Sequence, residues 1–269
     1  MEEVFFKIAT KENIKAVEEI WNNPQVANNP TVNQGFEIRK ELYKHSLLFV
    51  SLNPGGRTDD KHRKLVLDIY NNQYTTLEDK VVRFEEKEKN PEKFFKPFKE
   101  ICDYCNLGIG EDKKKIHFSH IDLLFINEIS QTNLKDELAK GLKDFQEQQL
   151  MLSLKWIEEL QPRAIIFSNS MARDIFLKYF EFRTDENDPL NQGKKKMNKL
   201  EKTSKKGEIR GRISFDYECG IYLLNYENDG AKSTDIPILF SRPLSGTGAL
   251  DTGSYGRLKW QIRKILEKY

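Results

Sequence analysis

The chain has 269 residues, of which 32% are charged and 38% hydrophobic, with a formal net charge of +2. This length allows a core of ordinary size, and so small a net charge does not by itself indicate a nucleic-acid or membrane partner. The sequence has no apolar run near the ~18 residues of a membrane-spanning helix and no secretory-signal pattern at its start. An odd number of cysteines, three, favours free thiols in a reducing compartment, so we expect a cytoplasmic protein.

Hydrophobic spacing predicts an alternation of helices and short buried strands. The predicted elements, in chain order, are a helix at Asn13–Trp21, an amphipathic stretch at Phe36–His45, a strand at Ser46–Leu52, helical segments at Lys64–Ile69 and Phe94–Cys105, a strand at Ile121–Ile129, a helix at Leu138–Leu160, a strand at Ala164–Ser168, a helix at Met171–Phe180, a strand at Ile236–Ser241 and a helix at Tyr255–Lys268. Strands that are apolar throughout and alternate with helices indicate a parallel sheet covered on both faces. The sequence therefore predicts a three-layer α/β/α sandwich with a mostly parallel four-stranded sheet.

The predicted domain covers residues 1–269, with a helical extension up to about residue 45 and an insertion at about residues 185–226. Within the insertion, residues 193–212 carry nine Lys or Arg against two Glu. A hairpin is predicted after them, at Ile213–Tyr217 and Ile221–Tyr226. The basic run fits a solvated loop and a phosphate-contacting arm equally well.

The candidate binding site follows from this fold. In a parallel sheet with helices on both faces, ligands bind beyond the carboxyl ends of the strands. Those ends are expected after Leu52, Ile129, Ser168 and Ser241. Neither of the two glycine-rich phosphate motifs, GxGxxG and GxxxxGK[ST], follows any of the four strands, which argues against a small-nucleotide site.

Two short pairs of metal-binding residue types lie close together in the sequence. Cys102 and Cys105 are followed, after eleven residues, by His117 and His120. The spacing is similar to a zinc pattern, but the cysteines fall inside an amphipathic helix and His117 precedes a strand. We therefore expect structural roles for these residues and no metal site.

Four segments in this order resemble the uracil-DNA glycosylase superfamily. They are FVSLNPG at Phe49–Gly55, the helix and strand at Phe98–Gly108 and Ile121–Asn127, LQPRAIIFSNSMARDI at Leu160–Ile175, and FSRPLSG at Phe240–Gly246. The first is similar to the GxNPG motif of the mismatch-specific and single-strand-selective branches. The last lies where the family has its second motif, HPS or NPSG.

The resemblance implies a role for each matched residue. Asn53 would position the attacking water, and Pro54 and Gly55 would contact the substrate. The alternative is that Asn53 and Pro54 only form an ordinary turn. Asn127 would recognise the extruded base with its paired donor and acceptor, or simply cap the end of its strand. The family's second-motif histidine is replaced by Arg242, which could stabilise the leaving base or bind a phosphate. Ser245 would contact the substrate in the same motif.

The function implied is hydrolysis of the N-glycosidic bond of uracil or another damaged base in DNA. The alternative is a non-catalytic nucleic-acid-binding member of the same fold. No cofactor is expected, the partner is DNA, single- or double-stranded, and we expect a monomer. Phosphate contacts are expected from the basic insertion, at Lys194, Lys195, Lys196, Lys205 and Lys206.

Overall fold

The computed structural model describes residues 5–8, 10–21, 23–24, 41–52, 95–108, 115–124, 142–179, 211–226, 235–245 and 248–269. The strands are β1 (Phe5–Lys7), β2 (Glu41–Tyr43), β3 (Leu47–Ser51), β4 (Phe118–Asp122), β5 (Ala164–Phe167), β6 (Gly211–Asp216), β7 (Ile221–Tyr226) and β8 (Asp235–Phe240). The helices are α1 (Lys11–Trp21), α2 (Lys96–Cys105), α3 (Lys143–Leu160), α4 (Ser170–Tyr179) and α5 (Thr252–Lys268). Within these residues no helix is long and apolar enough to cross a membrane.

The central sheet has six strands in the described part of the chain, in the order β4-β3-β5-β8-β7-β6. Strands β4, β3, β5 and β8 are parallel, while β7 and β6 add to β8 as an antiparallel hairpin. Strands β1 and β2 form a separate two-stranded antiparallel sheet. The α/β fold with a mostly parallel sheet confirms the prediction from the sequence.

Strand β3 lies inside the sheet and is buried on both faces. All five of its residues, LLFVS, are buried, because successive side chains point to opposite faces and each face is covered. Leu47 and Phe49 pack into the core beneath α2 and α5, where the rings of Phe49 and Phe98 stack with centroids 4.2 Å apart. Leu48 and Val50 pack into the opposite core, beneath α1, α3 and α4.

The amino-terminal prediction is wrong in one part. Residues 41–43 of the amphipathic stretch Phe36–His45 form β2, and residues 36–40 lie outside the described residues. Leu42 is buried in the core, and the Tyr43 ring stacks on His117 with centroids 4.3 Å apart. The Tyr43 amide also donates to Ser119 Oγ at 3.0 Å. These contacts with distant parts of the chain favour a strand over the helix that local spacing indicates.

The second parallel strand and the strand count also differ from the prediction. Strand β4 is Phe118–Asp122, so it begins three residues before the predicted Ile121, and residues 125–129 lie outside the described residues. Its polar residues Ser119 and His120 are buried and hydrogen-bonded, to Tyr43 and Ser51 respectively. A search for apolar runs misses a strand of this kind. The predicted hairpin forms, but it extends the sheet from four strands to six.

Two helices end at residues that favour termination. After α2, Gly108 adopts φ 77°, a conformation that glycine tolerates without strain. After α3, Gln161 adopts φ 46° and is followed by Pro162, which cannot continue the helix. The carboxyl-terminal helix begins at Thr252, three residues before the predicted Tyr255, because Asp251 caps it by accepting from the Ser254 amide at 3.0 Å.

Asn106 fixes the exit from α2 and generates a stability prediction. Its side-chain amide donates to Ile116 O and accepts from the Ile116 amide, both at 2.8 Å. Asn106→Ala removes both bonds and leaves two backbone groups without these partners. We expect the free energy of unfolding in urea to fall by about 2 kcal/mol.

The neighbouring substitution Leu107→Ala is the control, because Leu107 is 56% exposed. It should change the free energy of unfolding by less than about 0.5 kcal/mol. Equal effects of the two substitutions would contradict the bridging role of Asn106.

Candidate functional site at the carboxyl edge of the sheet

The strand order creates a topological switch point between β3 and β5, the place where folds of this class have a ligand crevice. From β3 the chain passes to its neighbour β4 with α2 on one face, and from β4 it returns across β3 to β5 with α3 on the other face. The connection that leaves β3 thus leads to α2 on one face, whereas the connection that leaves β5 leads to α4 on the opposite face. At such a switch point the loops beyond the carboxyl ends of the two strands diverge and leave room for a ligand.

Backbone pairing continues past the ends of the parallel strands. The Ser168 amide donates to Val50 O at 3.2 Å, and the Ser241 amide donates to Phe167 O at 2.8 Å. The carboxyl ends of β3, β5 and β8 are thus aligned in one row. With neighbouring strands about 4.8 Å apart, the end of β8 lies about 10 Å from the end of β3 across the sheet.

Arg242 follows this aligned end of β8 and is exposed. The residues after it are anchored, since Leu244 is buried in the core beneath α2 and α5 and the Leu250 amide donates to Pro243 O at 3.0 Å. Ser245 in the same segment is partly buried. Of the residues that the sequence nominates, Arg242 and Ser245 are therefore at the carboxyl edge.

The other nominated residues lie outside the described residues. They are Asn53, Pro54, Gly55, Asn127, Lys194, Lys195, Lys196, Lys205 and Lys206. The described chain stops at Leu52, directly before Asn53, and at Leu124, three residues before Asn127. Leu124 continues the pairing of β4 with β3, because its amide donates to Leu52 O at 2.8 Å. Their assigned roles stay predictions.

A buried polar cluster at this edge was not predicted. His120 is 4% exposed, and its Nε2 lies 2.9 Å from Ser51 Oγ and 3.8 Å from Asp122 Oδ1. Ser51 and Asp122 are register partners at the ends of β3 and β4. The imidazole stacks on Phe98, with centroids 5.7 Å apart, and meets the Phe95 ring edge-on at 5.5 Å.

The sequence contained a signal for this cluster. In Phe118–Asp122, FSHID, the residues at positions 118, 120 and 122 share one face of a strand, which brings a histidine and an aspartate together. The predicted strand began at Ile121, which left His120 outside it. The cluster was missed because of that boundary.

The amino end of α4 is also at the carboxyl edge. Asn169 directly precedes the helix, and its Oδ1 accepts from the amides of Met171 at 2.9 Å and Ala172 at 3.0 Å. These bonds satisfy donors that the first turn of a helix cannot pair internally. Asn169 therefore has a capping role, and the remaining partial positive charge at the start of α4 lies just after the carboxyl end of β5.

The zinc-like pattern is divided among different environments. Cys102 and Cys105 are buried in the core beneath α2, whereas His117 stacks on Tyr43 and His120 bonds Ser51. Burial raises the pKa of the Cys102 thiol far above its ordinary value and that of Cys105 to about 11. Because metals bind the thiolate, these cysteines are poor ligands. Among the described residues, no group of three or more His, Cys, Asp or Glu could hold a metal ion.

Thiol labelling tests this assignment. Iodoacetamide reacts with thiolates, so in the folded protein at pH 8 the partly exposed Cys219 should be modified while Cys102 and Cys105 are not. In urea all three cysteines should react. Cys219→Ser should abolish labelling of the folded protein, and rapid labelling of Cys102 or stabilisation of the protein by zinc would contradict the assignment.

The edge thus combines an exposed guanidinium, a capped helix terminus and a buried Ser–His–Asp cluster around a crevice of a mostly parallel sheet. Comparisons of the chain with protein-family models, with curated proteins and with solved structures found no match in any of the three.

Proposed function

We propose that the chain binds DNA at the carboxyl edge of the sheet and hydrolyses the N-glycosidic bond of uracil or another damaged base. The observation that supports this most is the topological switch point between β3 and β5. In the sequence the motif residue Asn53 comes two residues after β3, and Arg242 comes two residues after β8, whose end is aligned with that of β3. Both motifs that resemble glycosylase motifs therefore leave the sheet at the edge where this fold class binds ligands.

Each proposed residue has one chemical task. An amide cannot accept a proton from water at neutral pH, so Asn53 would orient the water beneath the sugar carbon and not activate it. Asn127 would recognise the edge of the extruded base, whose removal from the stack such chemistry requires. Arg242 would stabilise the negative charge that develops on the departing base. A single donor of this kind is typically worth about 3 kcal/mol in the transition state.

The exposure of Arg242 also favours the second candidate, a nucleic-acid-binding protein without activity. An exposed guanidinium is suited to a phosphate as much as to a leaving base. The two functions differ in what removal of Arg242 does. A binder loses affinity, whereas an enzyme loses rate.

Release of free base tests the proposal. At excess enzyme, single- and double-stranded oligonucleotides that contain uracil should release it in a single turnover. Arg242→Ala should lower that rate about a hundredfold, while affinity for the same DNA stays nearly unchanged, because the guanidinium acts mainly on the transition state.

The matched control is Arg163→Ala, at the start of β5 on the opposite edge of the sheet, where the guanidinium donates to Leu266 O at 3.2 Å. It should leave the rate unchanged. No release of uracil or of other damaged bases by folded wild-type protein would overturn the glycosylase proposal. Loss of affinity in Arg242→Ala, without any release by the wild type, would favour the binder.

The salt dependence of binding tests the proposed role of the basic insertion. If Lys194, Lys195, Lys196, Lys205 and Lys206 contact phosphates, the slope of log affinity against log salt should be about −4 to −5. Replacing all five by glutamine should flatten the slope, because fewer counterions are released on binding.

The control replaces five exposed lysines of the described residues: Lys15, Lys96, Lys155, Lys178 and Lys264. It changes the net charge equally but should leave the slope near the wild-type value. Equal slopes for the two five-lysine variants would mean that the insertion makes no specific phosphate contacts.

A further inference from the structure

The Ser51–His120–Asp122 cluster is buried at the ligand-binding edge and has no part in the function proposed so far. Its three side chains lie on the same face of β3 and β4, beneath Phe95 and Phe98. Ser51 is 9% exposed and the Asp122 side chain 16%, whereas His120 is 4% exposed. The imidazole is thus covered by its neighbours, and the hydroxyl and the carboxylate are its more accessible partners.

The geometry differs from that of a serine-hydrolase triad. In a triad the serine and the carboxylate contact opposite nitrogens of the imidazole, so that the carboxylate orients the ring for the serine. Here Ser51 Oγ and Asp122 Oδ1 both approach Nε2, at 2.9 Å and 3.8 Å. Of these two groups, Ser51 is within hydrogen-bonding distance of this nitrogen, whereas Asp122 contributes its charge. The arrangement is suited to moving a proton between Ser51 and His120.

The proposed hydrolysis requires a proton acceptor. Water must lose a proton as its oxygen bonds to the sugar carbon, and the amide of Asn53 cannot accept that proton. Ser51 lies two residues before Asn53, at the end of the strand that leads into the motif. A hydroxyl accepts one hydrogen bond while donating another, so Ser51 can pass a proton from the attacking water to His120.

We propose that Ser51 and His120 form a proton relay for the attacking water, with Asp122 balancing the positive charge that the imidazole acquires. The inference rests on the proposed function. As the water oxygen bonds to the sugar carbon, the glycosidic bond breaks and its electron pair leaves with the base as an anion. The water proton passes to Ser51 Oγ, and the Ser51 proton passes to His120 Nε2. The base is then protonated from solvent, and His120 returns its proton to solvent.

The charged groups around the imidazole agree with this direction of transfer. On β4 the carboxylate of Asp122 stabilises a protonated ring at 3.8 Å, and β3 contributes the uncharged Ser51. Helix α2 covers the ring with Phe95 and Phe98, and its buried thiols, Cys102 and Cys105, stay neutral because burial raises the pKa of each. The charged side chains of α2, Lys96, Lys99, Glu100 and Asp103, form ion pairs along the helix.

The test is the pH dependence of single-turnover uracil release. Because the relay needs a neutral imidazole, the wild-type rate should rise tenfold per pH unit and then reach a plateau. His120→Gln should lower the plateau about a hundredfold and remove the rising limb. Asp122→Asn should move the midpoint of the rising limb to lower pH. The negative charge of Asp122 favours the protonated imidazole, so removing that charge disfavours the protonated form. A purely structural role for Asp122 would not move this midpoint.

Two further variants separate the relay from packing. Ser51→Ala should lower the rate about as much as His120→Gln does. Ser51→Thr keeps the hydroxyl, so this variant should retain most of the wild-type rate. His117→Gln is the matched control, because this histidine stacks on Tyr43 and does not bond Ser51. It should leave the profile unchanged. Circular dichroism and thermal unfolding verify the fold of each variant.

The outcomes distinguish the relay from the proposed function. Uracil release with a flat wild-type pH profile, or with normal rates in folded His120→Gln and Ser51→Ala, would overturn the relay and leave the glycosylase proposal standing. If the wild type releases no base, both fail. If His120→Gln does not fold, the midpoint shift in Asp122→Asn decides, and its absence overturns the relay.

Discussion

The burial of β3 on both faces is the constraint on which the rest of the structure depends. A strand without a solvent-facing side must have paired backbone groups on both edges and a layer of helices over each face. Strands β4 and β5 provide the pairing, and α1, α3 and α4 on one side, with α2 and α5 on the other, provide the cover. The same strand order places a switch point beside β3, because the connection that leaves β3 leads to α2 on one face and the connection that leaves β5 leads to α4 on the other. The expected position of the ligand site and the burial of β3 therefore have the same origin.

The strands that could be predicted from the sequence are those whose apolar runs are continuous. A continuous apolar run such as AIIF in β5 indicates a strand that is buried on both faces. The predicted position of this strand was confirmed. Strand β4 was displaced in the prediction because Ser119 and His120 interrupt its apolar pattern, and their hydrogen-bond partners are distant in sequence. Strand β2 was missed for a related reason, since its partner β1 lies near the start of the chain.

The candidate site was only partly predictable, because motifs locate residues along the chain while register locates them across the sheet. Arg242 was nominated because FSRPLSG, at the end of an apolar run, resembles a family motif, and it lies at the carboxyl edge. The pair of His120 and Asp122 could be recognised from the alternation in FSHID, but its contact with Ser51 could not, because that contact depends on the pairing of Ser51 with Asp122. No local pattern in either strand specifies that register. The role of a polar residue inside a strand can be recognised only when the residue beside it on the adjacent strand is known.

The location of Ser51 and His120 within strands has a consequence for how durable their geometry is. Amides in the interior of a doubly paired strand exchange with deuterium mainly through global unfolding, whereas residues on connections exchange through local opening. Ser51 lies at the end of β3, which is paired on both edges, so the backbone on its side of the Ser51–His120 contact should open mainly when the native state unfolds. Connections between strands also tolerate changes of length and sequence better than the strands do. The loops would determine which substrate binds at this edge. Changes in those loops should therefore leave the geometry of Ser51 and His120, and any chemistry that depends on it, unaltered.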